Sequence, residues 1–264
     1  MFGYGKLPVV LLAELAAGRS DSTNCRIASY LLAHVQETED LGVEQLAAAC
    51  YVSKSSISRF CREIGLEDFT ELRDLLRTSE RTFKLYGGSL SAWEQGQLFT
   101  EKVQSSLRLA AETLDYVALD RLATALCTAE KITVFGLLKG ETAAMNLQSD
   151  LVMLGRSAVT KITLREQMDY LSAAQRGETI VIFSYTGVYF NYGLPQRILH
   201  AADRPALWFI TSDAQAAARL PHASVLTFSS EQDFVSHPYQ LQLIASLIAQ
   251  RTAALMGGKA NGTD

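Results

Sequence analysis

Leu46–Leu66, LAAACYVSKSSISRFCREIGL, is the stretch on which the reading of this chain turns. It reads as two short helices joined at Cys50-Tyr51-Val52. Ser53 is the kind of residue that caps a helix start, and Gly65 the kind that ends one. Ile57, Phe60, Cys61 and Ile64 recur at i, i+3, i+4 and i+7, which is one side of a helix. With Val52 they are assigned to core. Lys54, Ser55, Ser58, Arg59 and Arg62 then face outward. Ala47 is small where the helices must cross, and Ile57 lies ten residues further on. Small residue, turn and branched apolar residue at that spacing match a helix-turn-helix, whose second helix lies in a DNA major groove. The turn departs from the pattern at Tyr51, where glycine is usual. A left-handed backbone there costs a tyrosine about 1 kcal/mol.

Working outward, residues 8 to 17 suggest a first helix. Ser22 or Asn24 can cap a second, with Ile27, Leu31, Leu32 and Val35 on one face. Gly42 precedes a third helix from Val43, and Phe69, Leu72, Leu75 and Leu76 mark a fifth. Residues 1–78 are therefore read as an all-helical unit and 79–97, with Gly87-Gly88-Ser89, as a linker. A helix over 98–127, broken near Asp115, leads the rest. Its apolar face of Val103, Leu107, Ala110, Ala111 and Leu114 suits packing on a second domain or a partner chain. From residue 131 the runs KITVFG, SAVTKI, TIVIFS, PALWFIT and SVLTFS alternate with helical periodicity. That implies a parallel sheet covered on both faces, closed by a helix from Tyr239 to Met256 with Leu243, Ile244, Leu247 and Ile248 buried. Residues 98–256 form this α/β domain, and 257–264 read as a disordered tail.

The 264 residues are enough for two modest domains, and 48% hydrophobic composition supports real cores. The net charge of −4 excludes a global basic field, so any DNA surface must be a local patch. Between Val52 and Leu66 that patch carries Lys54, Arg59 and Arg62 against Glu63. Cys25, Cys50, Cys61 and Cys127 show no zinc-type spacing and read as buried thiols, and no metal or cofactor is expected. The N-terminal apolar run is broken by Pro8 and Glu14, is too short to span a bilayer and lacks a basic leader. The expectation is a cytoplasmic protein without membrane contact.

Val52-Ser53, Ile57, Arg59-Phe60-Cys61 and Gly65 also resemble the RpiR/MurR family of bacterial transcription regulators. In that family a variant of V-S-x-x-[ST]-[IV]-x-R-F-C-x-x-[LI]-G is followed by a sugar isomerase (SIS) domain. The resemblance covers nearly the whole chain, because the 131–250 segment looks like an SIS domain in the right place. It implies an α plus α/β architecture and binding to double-stranded operator DNA. Ser53 caps the recognition helix and can point its first amides at a phosphate. Lys54, Ser55 and Ser56 are placed to approach base edges or phosphates, with Ser58 and Arg59 one turn on. Arg59 can read a guanine or clamp a phosphate, or alternatively form an ion pair within the domain; Arg62 is read as a backbone contact.

Open parallel sheets bind ligands beyond the carboxyl ends of their strands. Two such loops stand out. One runs from Gly136 through Lys139 and Gly140 to Glu141; the other is Ser184-Tyr185-Thr186-Gly187. Glycines there can equally serve turning alone. The SIS pattern S-x-[ST]-G-x-[ST], whose hydroxyls hold a sugar phosphate, is matched by Ser184, Thr186 and Gly187, with Tyr189 where a further hydroxyl residue is expected. The pattern G-x-G-x-S is met only at Gly136, since Leu138 and Gly140 replace the second glycine and the serine. Two explanations compete. Either Lys139 and the aromatic residues Tyr185, Tyr189, Phe190 and Tyr192 serve a different anionic metabolite, or the domain serves dimerisation alone. Glu141, Glu166, Glu231, His200, His222 and His237 are the candidate bases for isomerase chemistry, and none sits in a catalytic motif. His222 and His237 adjoin prolines and read as loop residues. The leading reading is a homodimeric or tetrameric transcription regulator gated by a small phosphorylated sugar or derivative. A DNA-binding dimer with a purely structural SIS domain comes next, and an isomerase last.

Overall fold

Short runs of β-branched and aromatic residues are stable as parallel strands only when helices cover both faces. The computed structural model folds them so. It describes residues 6–18, 21–34, 41–77, 87–187, 189, 204–220, 222–231, 233 and 235–260. Two compact units divide the chain: residues 1–82 with 161–170, and residues 83–160 with 171–264.

The first unit holds α1 (Lys6–Ala17), α2 (Thr23–Ala33), α3 (Val43–Ala49), α4 (Lys54–Glu63) and α5 (Phe69–Arg77). Ser22, not Asn24, caps α2, its Oγ accepting the Cys25 N–H at 3.2 Å. Gln45 Oε1 accepts the Gly42 N–H at 2.8 Å and so closes the start of α3. Leu11, Ile27, Leu31, Leu46, Ile57, Phe60 and Leu72 bury fully and form the core of this unit. Val35, placed on the α2 face by periodicity, lies outside the described residues.

The remaining elements are α6 (Ala92–Thr113), α7 (Tyr116–Thr128), β1 (Lys131–Gly136), α8 (Lys139–Met153), β2 (Ala158–Val159), α9 (Leu164–Ala173), β3 (Glu178–Phe183), β4 (Ala206–Thr211), α10 (Ala216–Arg219), β5 (Ser224–Thr227) and α11 (His237–Ala260). The five strands form one parallel sheet in the order β2-β1-β3-β4-β5. Phe135 lies opposite Ile182, Phe183 opposite Ile210, and Ile210 opposite Leu226. Thr133, Val134 and Phe135 are all buried, as a strand covered on both faces requires. The chain leaves β1 outward to β2 and returns to β3, so the order reverses between β1 and β3. That reversal opens a crevice at their carboxyl ends.

Three elements bear on the sequence reading. The helix expected from residue 98 begins at Ala92, inside the expected linker. Ser91 and Glu94 close its start reciprocally, the Ser91 N–H donating to Glu94 Oε2 at 2.9 Å and the Glu94 N–H to Ser91 Oγ at 3.4 Å. The closing helix runs to Ala260, so residues 257–260 are helical instead of tail. Its buried side is Leu241, Ile244, Ala245, Ile248 and Ala249, with Leu243 and Leu247 only half-buried. The two alanines, one turn apart, let α11 approach α8 and α7 closely. The break near Asp115 is where the reading put it: Asp115 caps α7 by accepting the Ala118 N–H at 2.9 Å.

Candidate functional site

The α4 surface is built from its two ends. At the start, Ser53 Oγ accepts the Ser56 N–H at 3.1 Å and lies 2.8 Å from Ser55 Oγ and 2.9 Å from Ser56 Oγ. One hydroxyl thus satisfies a first-turn amide and gathers two neighbours. At the end, the Gly65 N–H donates to Arg62 O and the Leu66 N–H to Cys61 O, with Gly65 at φ 80°. That pairing is a Schellman stop, which glycine accepts without strain. Ile57, Phe60, Cys61 and Ile64 are buried as expected, whereas Val52 is only half-buried.

The outward residues remain outward. Ser53, Lys54, Ser55, Ser58, Arg59 and Arg62 are exposed and Ser56 is half-buried. Among the described residues Arg59 makes no ion pair, so its reading as a structural ion pair finds no partner there. Arg62 Nε donates to Ser58 O at 3.3 Å, and Ser58 Oγ donates to Lys54 O at 3.3 Å. Lys54 Nζ pairs with Glu44 Oε1 of α3 at 2.7 Å, a contact that periodicity did not anticipate because it crosses between helices. Lys54 correspondingly holds the Glu44 carboxyl below its usual range. Burial pushes the Cys50 thiol up to about 11 and Cys61 up to about 12. Neither thiol is a nucleophile at neutral pH.

The turn into α4 carries the strain anticipated at Tyr51, whose φ is 53°. The Tyr51 N–H donates to Ala48 O at 3.1 Å and the Val52 N–H to Ala47 O at 2.9 Å, which fixes that conformation.

In the second unit the β1 and β3 loops come together. A Cβ on Gly136 would meet the Gly140 carbonyl carbon at 2.3 Å, and one on Gly140 would meet Phe183 O at 2.6 Å. The first turn of α8 is therefore pressed against the end of β3. There is no room for a serine at 140, which accounts for the departure there. Leu138 adopts φ 51°, a conformation suited to the glycine it replaces. The Gly187 N–H donates to Ser184 O, Gly187 takes φ 72°, and Ser184 Oγ accepts the Tyr189 N–H at 3.1 Å. Thr186 is exposed. Tyr185 O accepts from the Ser212 N–H, Ser212 Oγ and Thr211 Oγ1, which anchors the loop to the end of β4.

Of the aromatic residues, Tyr185 and Tyr189 are packed into the fold. The Tyr189 ring is buried against Phe209, at 6.4 Å between centroids. Tyr185 is buried, hydrogen bonds Ser230 and lies 4.6 Å from the His237 ring; burial pushes its phenol up to about 12. Phe190, Tyr192 and His200 lie outside the described residues. His237 is not in a loop: it is the first residue of α11. Burial, with the Lys139 charge adding to it, pushes its imidazole down to about 4. Burial also lowers Lys139 and raises the Glu141 carboxyl. Asp233 accepts the Val235 and Ser236 amides and the Ser236 hydroxyl, and Lys102 lies 3.7 Å away. Burial works against the charge on Asp233, but the Ser236 bonds prevail and hold it low. Pro238 in the first turn was the available signal for this helix start. Of the other candidate bases, Glu166 caps α9 through Thr163, Glu231 pairs with Lys102, and His222 is exposed.

A model of the helix-turn-helix domain of the rpiR family matches residues 15–81. The HTH-type transcriptional regulator HexR of Pseudomonas aeruginosa is 28% identical over 184 residues, 67% of this chain and 65% of HexR. A regulator of Caldanaerobacter subterraneus is 26% identical over 185 residues, 68% of this chain and 65% of that one. The chain thus spans 65% of the length of these relatives. Among solved structures, Vibrio vulnificus NanR complexed with ManNAc-6P has TM-score 0.52 at 15% identity, covering 97% of this chain and 93% of NanR. The c3406 protein of Escherichia coli CFT073 has TM-score 0.54 at 11% identity, covering 64% of this chain and 94% of that one. At such identities the likeness is one of fold. Residues 15–81 of this chain therefore match the helix-turn-helix domain of the rpiR family, and the parallel α/β domain that follows shares its fold with NanR and c3406.

Proposed function

We propose that this protein is a DNA-binding transcription regulator that reads a pseudo-palindromic operator as a homo-oligomer and responds to a small anionic metabolite. One observation carries the reading: α4, capped at both ends and seated on a buried apolar face, presents Ser55, Arg59 and Arg62 outward beside Lys54. Such a helix can enter a major groove while its other side stays fixed. Selection of bound sequences from random duplex DNA with the full chain is the test. It is expected to return a two-fold motif with half-sites one helical turn apart or a multiple of it. Arg59→Ala should weaken binding at least tenfold while leaving the melting temperature within about 1 °C. Unchanged affinity in the folded variant would give Arg59 another job.

The phosphate-bearing ligand of NanR supports a phosphorylated sugar or derivative as the effector class. Ser184, Thr186, Gly187 and Lys139 are the residues that would hold it, at the start of α8 and the turn after β3. The hydroxyl of Ser184 already accepts a loop amide, but its proton remains to be donated. A thermal-shift series with sugar phosphates is the check: a saturable rise with one compound supports gating. A second reading, an SIS fold kept only as a structural clamp, is favoured by the close packing of Gly140 on Phe183 and the buried Tyr189 ring. No response to any compound would favour it. We read the domain as a sensor and not an isomerase, because a sensor must release its ligand unchanged. A DNA-reading role places the protein in the cytoplasm, with its operator. Among the described residues no helix is long and apolar enough to cross a membrane.

A further inference from the structure

Tyr51 has an odd position for an aromatic residue. It is 87% exposed, more than any other large apolar or aromatic side chain described. Its backbone is held at φ 53°, where glycine would sit without strain. The hydrogen bonds of Ala47 and Ala48 to the turn impose that conformation whatever the side chain is. No ring contact or side-chain hydrogen bond within the described fold offsets the cost. An aromatic residue in a strained conformation, presented to solvent, points to a role outside the fold.

Its surroundings indicate the partner. Tyr51 stands two residues before the Ser53 cap, and Lys54, Ser55, Arg59 and Arg62 are exposed along the helix that follows. When the start of such a helix enters a major groove, the turn before it meets the sugar-phosphate strand at the groove's rim. A phenol fits that strand: its hydroxyl donates to a phosphate oxygen and its ring covers the deoxyribose. Resting on the DNA-binding reading above, we infer that Tyr51 is a DNA-backbone contact that positions α4. It adds affinity without adding charge and without choosing bases.

The test uses the full chain, the duplex it selects, and three variants. Fluorescence anisotropy across a salt series gives affinity, and thermal denaturation gives stability. Tyr51→Gly is expected to raise the melting temperature by a few degrees and to weaken binding about tenfold. Tyr51→Phe should melt as the wild type and bind about threefold more weakly. Both should keep the wild-type dependence of log K on log salt, because a neutral donor releases no counterion. Arg62→Ala should flatten that slope by about 1. If both Tyr51 variants bind as wild type while Arg62→Ala binds weakly, the inference is overturned and the DNA reading stands. A changed oligomeric mass in Tyr51→Gly would instead assign the ring to a second copy of the chain and also overturn it. If the wild-type chain selects no duplex, both fall together.

Discussion

Lys54 is held by a carboxylate rather than by water alone. Its pair with Glu44 at 2.7 Å is exposed on both sides, so it does little for the stability of the fold. On the proposed DNA-binding role it matters more, because Glu44 would compete with phosphate oxygens for the ammonium and add a repelling charge at the same surface. Glu44→Gln is expected to tighten operator binding by about threefold and to steepen its salt dependence, as Lys54 becomes available for counterion release. Titration at three salt concentrations measures both. An unchanged slope would show that Lys54 does not reach the phosphates. Leu138, at φ 51°, is the counterpart in the other unit: a strained residue where the SIS pattern has glycine.

Two helix starts carry the candidate sites, and they are secured differently. α4 depends on one hydroxyl, since Ser53 Oγ accepts the Ser56 amide and gathers Ser55 and Ser56. Ser53→Ala should cost about 1 kcal/mol by loss of the cap, read from urea denaturation, with Ser53→Asp recovering most of it. A silent Ser53→Ala would mean that Ser55 or Ser56 caps instead. α8 depends on the absence of a side chain. Placing at 140 the serine of the SIS pattern, by Gly140→Ser, drives a Cβ to 2.6 Å from Phe183 O. The expected result is a loss of about 2 kcal/mol and no gain in ligand binding. If Gly140→Ser were stable and bound sugar phosphates more tightly, the close packing of α8 on β3 would be refuted.

For the molecule as a whole, the sheet-bearing unit should lose stability in mild acid. His237 at the start of α11 has a folded value of about 4 against an ordinary 6.5. A depressed value means that the folded state disfavours the proton. The stabilisation is complete above pH 6.5 and is lost as pH falls through the window down to 4, amounting to about 3 kcal/mol. Calorimetry across that range should show the transition of the sheet-bearing unit moving down. His237→Gln should flatten its pH dependence, and an identical acid response in that variant would exclude His237 as the cause.

Local rules wrote the helical unit into the sequence. Helix stop and start signals at Gly42, Ser53 and Gly65, together with the i, i+3, i+4, i+7 face of α4, act over a few residues and need no knowledge of the fold. The same holds for the strands, whose β-branched runs between helical stretches admit only a covered parallel sheet. What local rules miss is contact between distant elements. Nothing near residue 140 in the sequence says that Phe183 O lies where a serine side chain would go. Nothing near Lys54 says that Glu44 reaches it from α3, or that the His237 ring rests on Tyr185. Sequence by itself determined the two architectures and the outward face of α4, because periodicity and capping are properties of the single helix or strand. Only the tertiary structure decided which loop residues retain space and hydrogen-bonding capacity, because those are consumed by neighbours that the chain brings in from far away.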